Sequence, residues 1–390
     1  MKLEAFTTIL SDCTSKYNKI KKEDYLPEGQ FPIIDQGQKF VGGYTNDAKL
    51  ITDVEKELII FGDHTKTLKF IDFPIAIGAD GVKVLHVNKE KANPRYIYYF
   101  LKSIKLTDAG YSRHFKFLKE IKIPVIPIQD QIRIAEILSQ AENLITQRKE
   151  GILLLDELLK STFLEMFGQS DKQKFPLQKL DKVSLKITDG EHGTVNRLEY
   201  GKLYFMARNI TVYNTIDLKE VSFISDEDHN KIFKRCNPEQ GDLMMVCVGA
   251  TIGKVVLVPE NMEPFSLARS VALIKPNKSI ITSEYLLWFF NSELGKRQIK
   301  NSTNAAAQGG LYTGKLKNIN ISIPPIALQN KFATIVKKVE ILKSEYQASL
   351  KELENMYGVL SQKAFKGELK VKEYTNHEAL GMVAETKGEY

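Results

Sequence analysis

The chain has 390 residues, 43% of them hydrophobic and 26% charged, with a formal net charge of +7. That length suffices for two domains of about 120 to 150 residues plus connecting elements. No apolar run approaches the roughly 18 residues of a membrane span. The start MKLEAFTTILSDC carries Glu4 before its short apolar run and no cleavage site after it, so neither a membrane protein nor a secreted one is expected, and the cytoplasm is the default.

Residues 1–127 carry 20 Lys+Arg against 16 Asp+Glu. They mix short β-like runs, such as LIIF at 58–61, with an amphipathic helix PRYIYYFLKS from Pro94, opened by Asn93-Pro94. Pro124 and Pro127 close this segment. From 128 to 168 a heptad-like seam follows: Ile134, Leu138, Ala141, Ile145, Arg148, Ile152, Leu155, Leu159, Thr162, Met166. Spacing that alternates three and four over about five heptads predicts a helix of about 50 Å that buries a narrow stripe against another helix. Residues 169–325, with 21 Lys+Arg against 16 Asp+Glu, repeat the mixed pattern. Here DLMMVCVG at 242–249 reads as a strand and SEYLLWFFNS from Ser283 as a helix entered at Thr282. After Pro324 and Pro325, a second seam occupies 326–370: Phe332, Val336, Val339, Lys343, Tyr346, Leu350, Leu353, Tyr357, Leu360, Ala364. Residues 371–390 are polar, net negative and aperiodic, and a frayed tail is expected.

An internal repeat organises these segments. LKEIKIPVIPIQDQIRIAEIL from Leu118 and LKNINISIPPIALQNKFATIV from Leu316 match at one offset of 198 residues, Gln131 falling on Gln329. The segment 128–168 is net negative and 326–370 net positive, which favours pairing of the two helices with each other. The expected fold class is therefore α+β: two mixed α/β domains (1–127 and 169–325) separated by two long spacer helices. The helices pair as an antiparallel coiled coil, in a pseudo-two-fold internal repeat. The basic excess of both domains suits a polyanion.

Catalytic motifs are not found in the sequence. GATIGK at Gly249 to Lys254 has three residues between its glycines where a phosphate loop needs four, and Val255 where Ser or Thr would bind Mg²⁺. It fits a hairpin turn. Asn93-Pro94-Arg95-Tyr96 lacks the second proline of the adenine methyltransferase loop. The six histidines show no HExxH spacing, and Cys13, Cys236 and Cys247 form no CxxC pair, so metal ligation is not expected and the thiols should be buried. A non-catalytic binding scaffold is the reading that remains. Two other classes stay open: a self-sufficient nuclease of unfamiliar design, or a helical protein-protein adapter.

The layout resembles the specificity subunits of type I restriction-modification systems over nearly the whole chain. The stretches that carry the resemblance are YLPEGQFPIIDQGQKFVGGYTND from Tyr25, GDHTKTLKFIDFPIAIGADGVKVL from Gly62, ITDGEHGTVNR from Ile187, GDLMMVCVGATIGKV from Gly241, and the repeat motif. The resemblance implies two target-recognition domains on double-stranded DNA, two methyltransferase subunits docked on the helices, and two motor nuclease (restriction) subunits where they exist. S-adenosylmethionine, ATP and Mg²⁺ would then belong to the partners. A pseudo-two-fold protein with unlike domains should read a split, asymmetric site whose halves lie about 34 Å apart. Donor-bearing residues in glycine-flanked turns are the candidates for DNA contact. In the first domain they are Lys19, Gln36, Gln38, Tyr44, His64, Lys66, Lys69 and Arg113; in the second, His192, Asn196, Arg197, Arg208, Asn209, Lys254, Arg269 and Gln308.

Overall fold

The computed structural model of the protein describes residues 2–52, 57–79, 81–106, 113–168, 175–304 and 310–369. The expected tail, 371–390, lies outside the described residues. Contacts divide the chain into two units, Met1–Lys149 with Ala348–Tyr390, and Glu150–Gln347.

The first unit contains β1 (Lys2–Ala5), α1 (Phe6–Ile9), β2 (Leu10–Asp12), β3 (Lys19–Ile20), β4 (Phe31–Ile34) and β5 (Gly43–Thr45). Then come β6 (Leu58–Gly62), β7 (Leu68–Ile71), β8 (Ala76–Gly78), β9 (Val82–Val87), α2 (Pro94–Ser103), α3 (Phe115–Lys119) and β10 (Lys122–Val125). α4 (Ile128–Phe167) follows, and its first half belongs to this unit. One sheet has the order β2-β9-β6-β7, antiparallel throughout. A second has the order β3-β8-β4-β5, with β3, β8 and β4 parallel and β5 antiparallel.

Period-two alternation explains how the first sheet is buried on both faces. Along β6, Ile59 and Phe61 enter the core under α2, whereas Leu58 and Ile60 face Ile34, Ile75 and Ile77 of the second sheet's side. α2 begins where the Asn93 side chain accepts the Tyr96 N–H (2.9 Å), so the cap read from sequence is present.

The second unit holds the later half of α4, then β11 (Leu177–Lys179), β12 (Ser184–Asp189), β13 (Lys202–Phe205), β14 (Phe223–Ile224), α5 (Asp226–Cys236), β15 (Leu243–Val246) and β16 (Val255–Leu257). It continues with β17 (Ser266–Leu267), β18 (Val271–Pro276), α6 (Ser283–Asn291), α7 (Glu293–Asn304), α8 (Thr313–Lys317), β19 (Asn320–Ser322) and the first half of α9 (Ile326–Lys366). Its antiparallel sheet has the order β12-β18-β15-β16, which matches β2-β9-β6-β7 strand for strand. Its second sheet, β14-β13-β17, keeps a parallel pair, β13 with β17, that matches β4 with β8, and an antiparallel neighbour, β14, that matches β5. The alternation recurs too, with Leu243 and Met245 facing one core and Met244 and Val246 the other.

Each unit closes on the same joint. Gln131, fully buried, accepts the Asn93 N–H (2.8 Å) and donates to the Ile126 carbonyl (2.8 Å). Gln329, also fully buried, accepts the Thr282 N–H (2.9 Å) and donates to the carbonyls of Ile280 (3.0 Å) and Pro324 (2.9 Å). The Tyr96 hydroxyl donates to Pro124 O and the Tyr285 hydroxyl to Ser322 O, at positions 198 residues apart on the acceptor side.

All twenty seam positions named above are buried or half-buried. α4 and α9 have 40 and 41 residues, about 60 Å each rather than 50 Å. At the end of α4 the stripe drifts off the heptad, because 3.6 residues per turn is not 3.5. Phe163 and Phe167, not only Thr162 and Met166, turn inward and pack on Tyr285 and Phe332 with ring centroids 4.8–5.7 Å apart. No helix of the described residues is long and apolar enough to cross a membrane.

Candidate nucleic-acid interface

In the first unit four chain segments meet where β4, β6 and β8 end. β4 runs into the loop 35–42, which is shaped from within: the Gly37 N–H donates to Asp35 Oδ1 (2.8 Å) and the Gly42 N–H to Ile33 O (2.9 Å). Lys69, 3% exposed on β7, points beneath this loop. Its ammonium donates to the carbonyls of Asp35 (2.8 Å), Lys39 (2.6 Å) and Phe40 (3.1 Å), with Asp35 Oδ1 at 3.8 Å. Desolvation pulls the Lys69 pKa below its ordinary value, and Asp35 opposes that pull.

The β6–β7 turn lies against the same loop. Lys66 sits at φ 59° and donates its N–H to Gly62 O (2.8 Å). The Thr65 hydroxyl donates to Gln36 O (2.6 Å) and the His64 N–H to Gln36 Oε1 (3.3 Å). A Cβ on Gly62 would strike Thr65 and Gln36, which accounts for the glycine. Buried Asp63 ties in the last two segments. Its N–H donates to Gly81 O (2.6 Å), its carbonyl accepts the His114 N–H (2.9 Å), and its carboxylate accepts the Phe115 N–H (2.8 Å).

The candidates of the first unit divide accordingly. Gln38 and Arg113 are exposed on this cluster, His64 and Lys66 are half-exposed, and half-buried Gln36 anchors the turn next to it. Exposed Lys19 donates to Val82 O (3.2 Å) at the edge of an open depression of about 470 Å³ that Asp12, Tyr17 and Lys83 also line. Tyr44 lies apart on β5, its backbone bonded twice to Leu26. Lys69 departs from its expected contact role: its ammonium is spent on three carbonyls under the loop, so it holds the loop's path rather than offering donors at its surface.

The second unit builds its cluster from corresponding loops with other side chains. After β13, buried Asn209 accepts the Met206 N–H (2.9 Å) and donates to Asp217 O (2.9 Å) and Glu220 O (3.2 Å). It is 1% exposed, and with every polar atom occupied it too is corrected from contact to scaffold. Arg208 is exposed yet braced, donating to Glu220 O (3.1 Å) and Ser222 Oγ (2.8 Å). The β15–β16 hairpin turns through Gly249 and Gly253, both at positive φ, with half-buried Lys254 at its base.

Segments around β17 complete it. The Cys247 N–H donates to Ser270 O (2.8 Å), the Leu311 N–H to Cys247 O (2.8 Å), and the Glu191 N–H to Leu267 O (3.0 Å). A Cβ on Gly190 would collide with the Leu267 carbonyl, so this approach requires glycine. His192 Nε2 lies 2.9 Å from Asp189 Oδ2. They line a cavity of about 170 Å³ with Cys247, Val248, Arg269, Leu311, Tyr312 and Thr313. Asn196 and Arg197 are exposed on the stretch after His192, and Gln308 lies outside the described residues.

All three cysteines are buried, and burial pushes the Cys247 thiol up to about 12, so it lines the cavity as an apolar group. Among the described residues no group of three His, Cys, Asp or Glu could hold a metal ion. Sequence reasoning missed Asp35, Asp63, Asp189 and Tyr312. Only Asp189 had a local signal, three residues before His192.

The model of a family described as the type I restriction modification DNA specificity domain matches residues 10–154 and 180–355. A Haemophilus influenzae protein provisionally named a type I restriction enzyme specificity subunit is 25% identical over 323 residues, 78% of each chain. The crystal structure of a type I restriction-modification system S subunit from M. genitalium is similar with a TM-score of 0.63 at 18% identity, over 95% of this chain and 96% of that one. A structure described in terms of complex assembly and conformational transition of the type I R-M system matches with a TM-score of 0.53 at 16% identity, over 94% and 98%.

Proposed function

The chain belongs to the type I restriction-modification DNA specificity family, and from that premise we propose that it reads a bipartite, asymmetric site on double-stranded DNA, one half-site with each domain. The domains are 1–127 and 169–325, and the spacers 128–168 and 326–370 pair as an antiparallel coiled coil, in a pseudo-two-fold internal repeat. The observation that carries this reading is the recurrence of one strand order, one closing glutamine joint and one loop cluster in both units, with different side chains on the loops.

Contacts within each unit support the antiparallel pairing. Lys149 meets Glu354 (2.8 Å) in the first; Asp156 meets Lys343 (2.6 Å) in the second. Partners therefore descend α9 as they ascend α4. Phosphate contacts would position each domain, and side chains in the major groove would specify bases.

Methyl transfer and cleavage belong to partners in this reading. Two methyltransferase subunits dock on the helices, joined by two motor nuclease subunits where the system cleaves, and these bring S-adenosylmethionine, ATP and Mg²⁺. Leu153, Leu154 and Leu158 of α4 and Ile341 of α9 stay exposed, Leu154 at 67%, although they lie on helices whose seams are covered. Exposed apolar side chains on these helices suit a protein partner.

The test is exchange of residues 169–325 for those of a relative, with methylated sites mapped for the assembled complex. One half-site should change entirely and the other stay. Change in both halves would overturn the modular reading, and methylation by the purified chain alone would overturn its non-catalytic role.

A further inference from the structure

Resting on the reading of the second domain as a half-site reader, we propose that Arg269 reads the guanine of a G·C base pair from the major groove, with Asp189 as acceptor for the cytosine. Arg269 is exposed on the tight connection between β17 and β18. Among the described residues its guanidinium has no hydrogen-bond or ion-pair partner, whereas Arg208 in the same cluster is braced. Its backbone is fixed on both sides, because the Ala268 N–H donates to Phe205 O (2.9 Å) and the Ser270 carbonyl accepts the Cys247 N–H (2.8 Å). A free planar fork on a rigid base suits bidentate recognition.

The cavity beside it decides between a base and a phosphate. Its lining is mixed: Arg269 with its donors, Asp189, His192 held to the Asp189 carboxylate, the hydroxyl-bearing Tyr312 and Thr313, and the apolar Cys247, Val248 and Leu311. Glu191 adjoins, its carboxyl held below the ordinary range chiefly by the Gly193 N–H. A phosphate is repelled by two carboxylates, so a backbone contact is disfavoured here. A base-pair edge is not repelled. A G·C pair offers two acceptors on guanine, O6 and N7, and one donor on cytosine, N4–H. Arginine plus a carboxylate complements that set. An A·T pair asks for the amide of Asn or Gln, and among the described residues that line the cavity there is neither.

The experiment uses the complex with its methyltransferase partner on unmodified genomic DNA, comparing the wild type with R269A and D189N by sequencing of methylated sites. The second half-site of the wild type should contain a required G·C pair. In R269A that one position becomes permissive and the cognate rate falls roughly five- to hundredfold, with the first half-site unchanged. D189N should relax the same position. Three outcomes overturn the proposal while leaving the half-site reading intact: a uniform loss at all sites with a shallower salt dependence, which marks a phosphate contact; relaxation at an A·T pair; or no change. Absence of sequence-restricted methylation by the wild-type complex, or relaxation in the first half-site, would overturn the half-site reading itself.

Discussion

The two units differ least where their chains are bonded backbone to backbone and most where side chains face outward. Both order their antiparallel sheet alike, cap the following helix with an Asn or Thr side chain, and lock it to a long helix through one buried glutamine. Their loop clusters nevertheless share no anchor. The first is held by a buried ammonium and the second by a buried amide. Their cores differ as well: the second unit gathers Phe163, Phe167, Tyr285, Trp288 and Phe332 at the helix end, whereas the first has Tyr96, Phe100 and half-buried Phe365. Topology and joints are thus a common frame, and packing and loop chemistry were settled separately in each half.

Three substitutions would break or sharpen that comparison. Phe163→Ala should have the largest effect, about 3–5 kcal/mol, because a ring with four aromatic neighbours is lost. Hydrogen exchange should localise the loss to Glu150–Gln347; equal loss in both units would mean that the cores are not independent. Next comes the pair Gln329→Leu and Gln131→Leu. Each leaves backbone groups without their partner, three at Gln329 and two at Gln131, and because several of these bonds are only partly buried the cost should stay near the lower end, about 1 kcal/mol apiece. Denaturant titration should therefore rank Gln329→Leu as the costlier, and the reverse order would show that the joints are not alike. The smallest effect concerns His229, buried against Ser266 (Nδ1 to Oγ, 3.0 Å). Burial holds its pKa below the ordinary value, and nearby Lys202 adds to this. The unfolded chain then binds the extra proton, so stability is intact above about pH 6.5 and declines as pH falls from there toward the folded value. His229→Gln should flatten that decline in the second unit, and an unchanged acid profile would refute the assignment.

Much of this frame was legible in the sequence because it is periodic or local. The seams marked α4 and α9, Asn93 and Thr282 marked two helix starts, and the glycines at 249 and 253 marked a hairpin. The interface was legible only in part. Gln36 meets His64 across 28 residues and Asp63 meets Phe115 across 52, pairings that no local pattern announces. Lys69 did carry a signal that donor chemistry concealed: in the strand Leu68–Ile71 it shares the inward face with Ile71. Asn209 carried none, since its three bonds reach across loops.

The manner in which Lys69 and Asn209 hold their loops bears on how new specificities arise. Both bind main-chain atoms: Lys69 the carbonyls of residues 35, 39 and 40, Asn209 the N–H of 206 and the carbonyls of 217 and 220. A mutation at Gln38, Lys39 or Phe40 replaces a side chain without removing any of these bonds. The loop can therefore drift through many sequences while its path stays fixed, which, under the proposed DNA-reading role, would let a lineage change the word recognised by point substitution. The two anchors themselves are the positions where drift should be least tolerated.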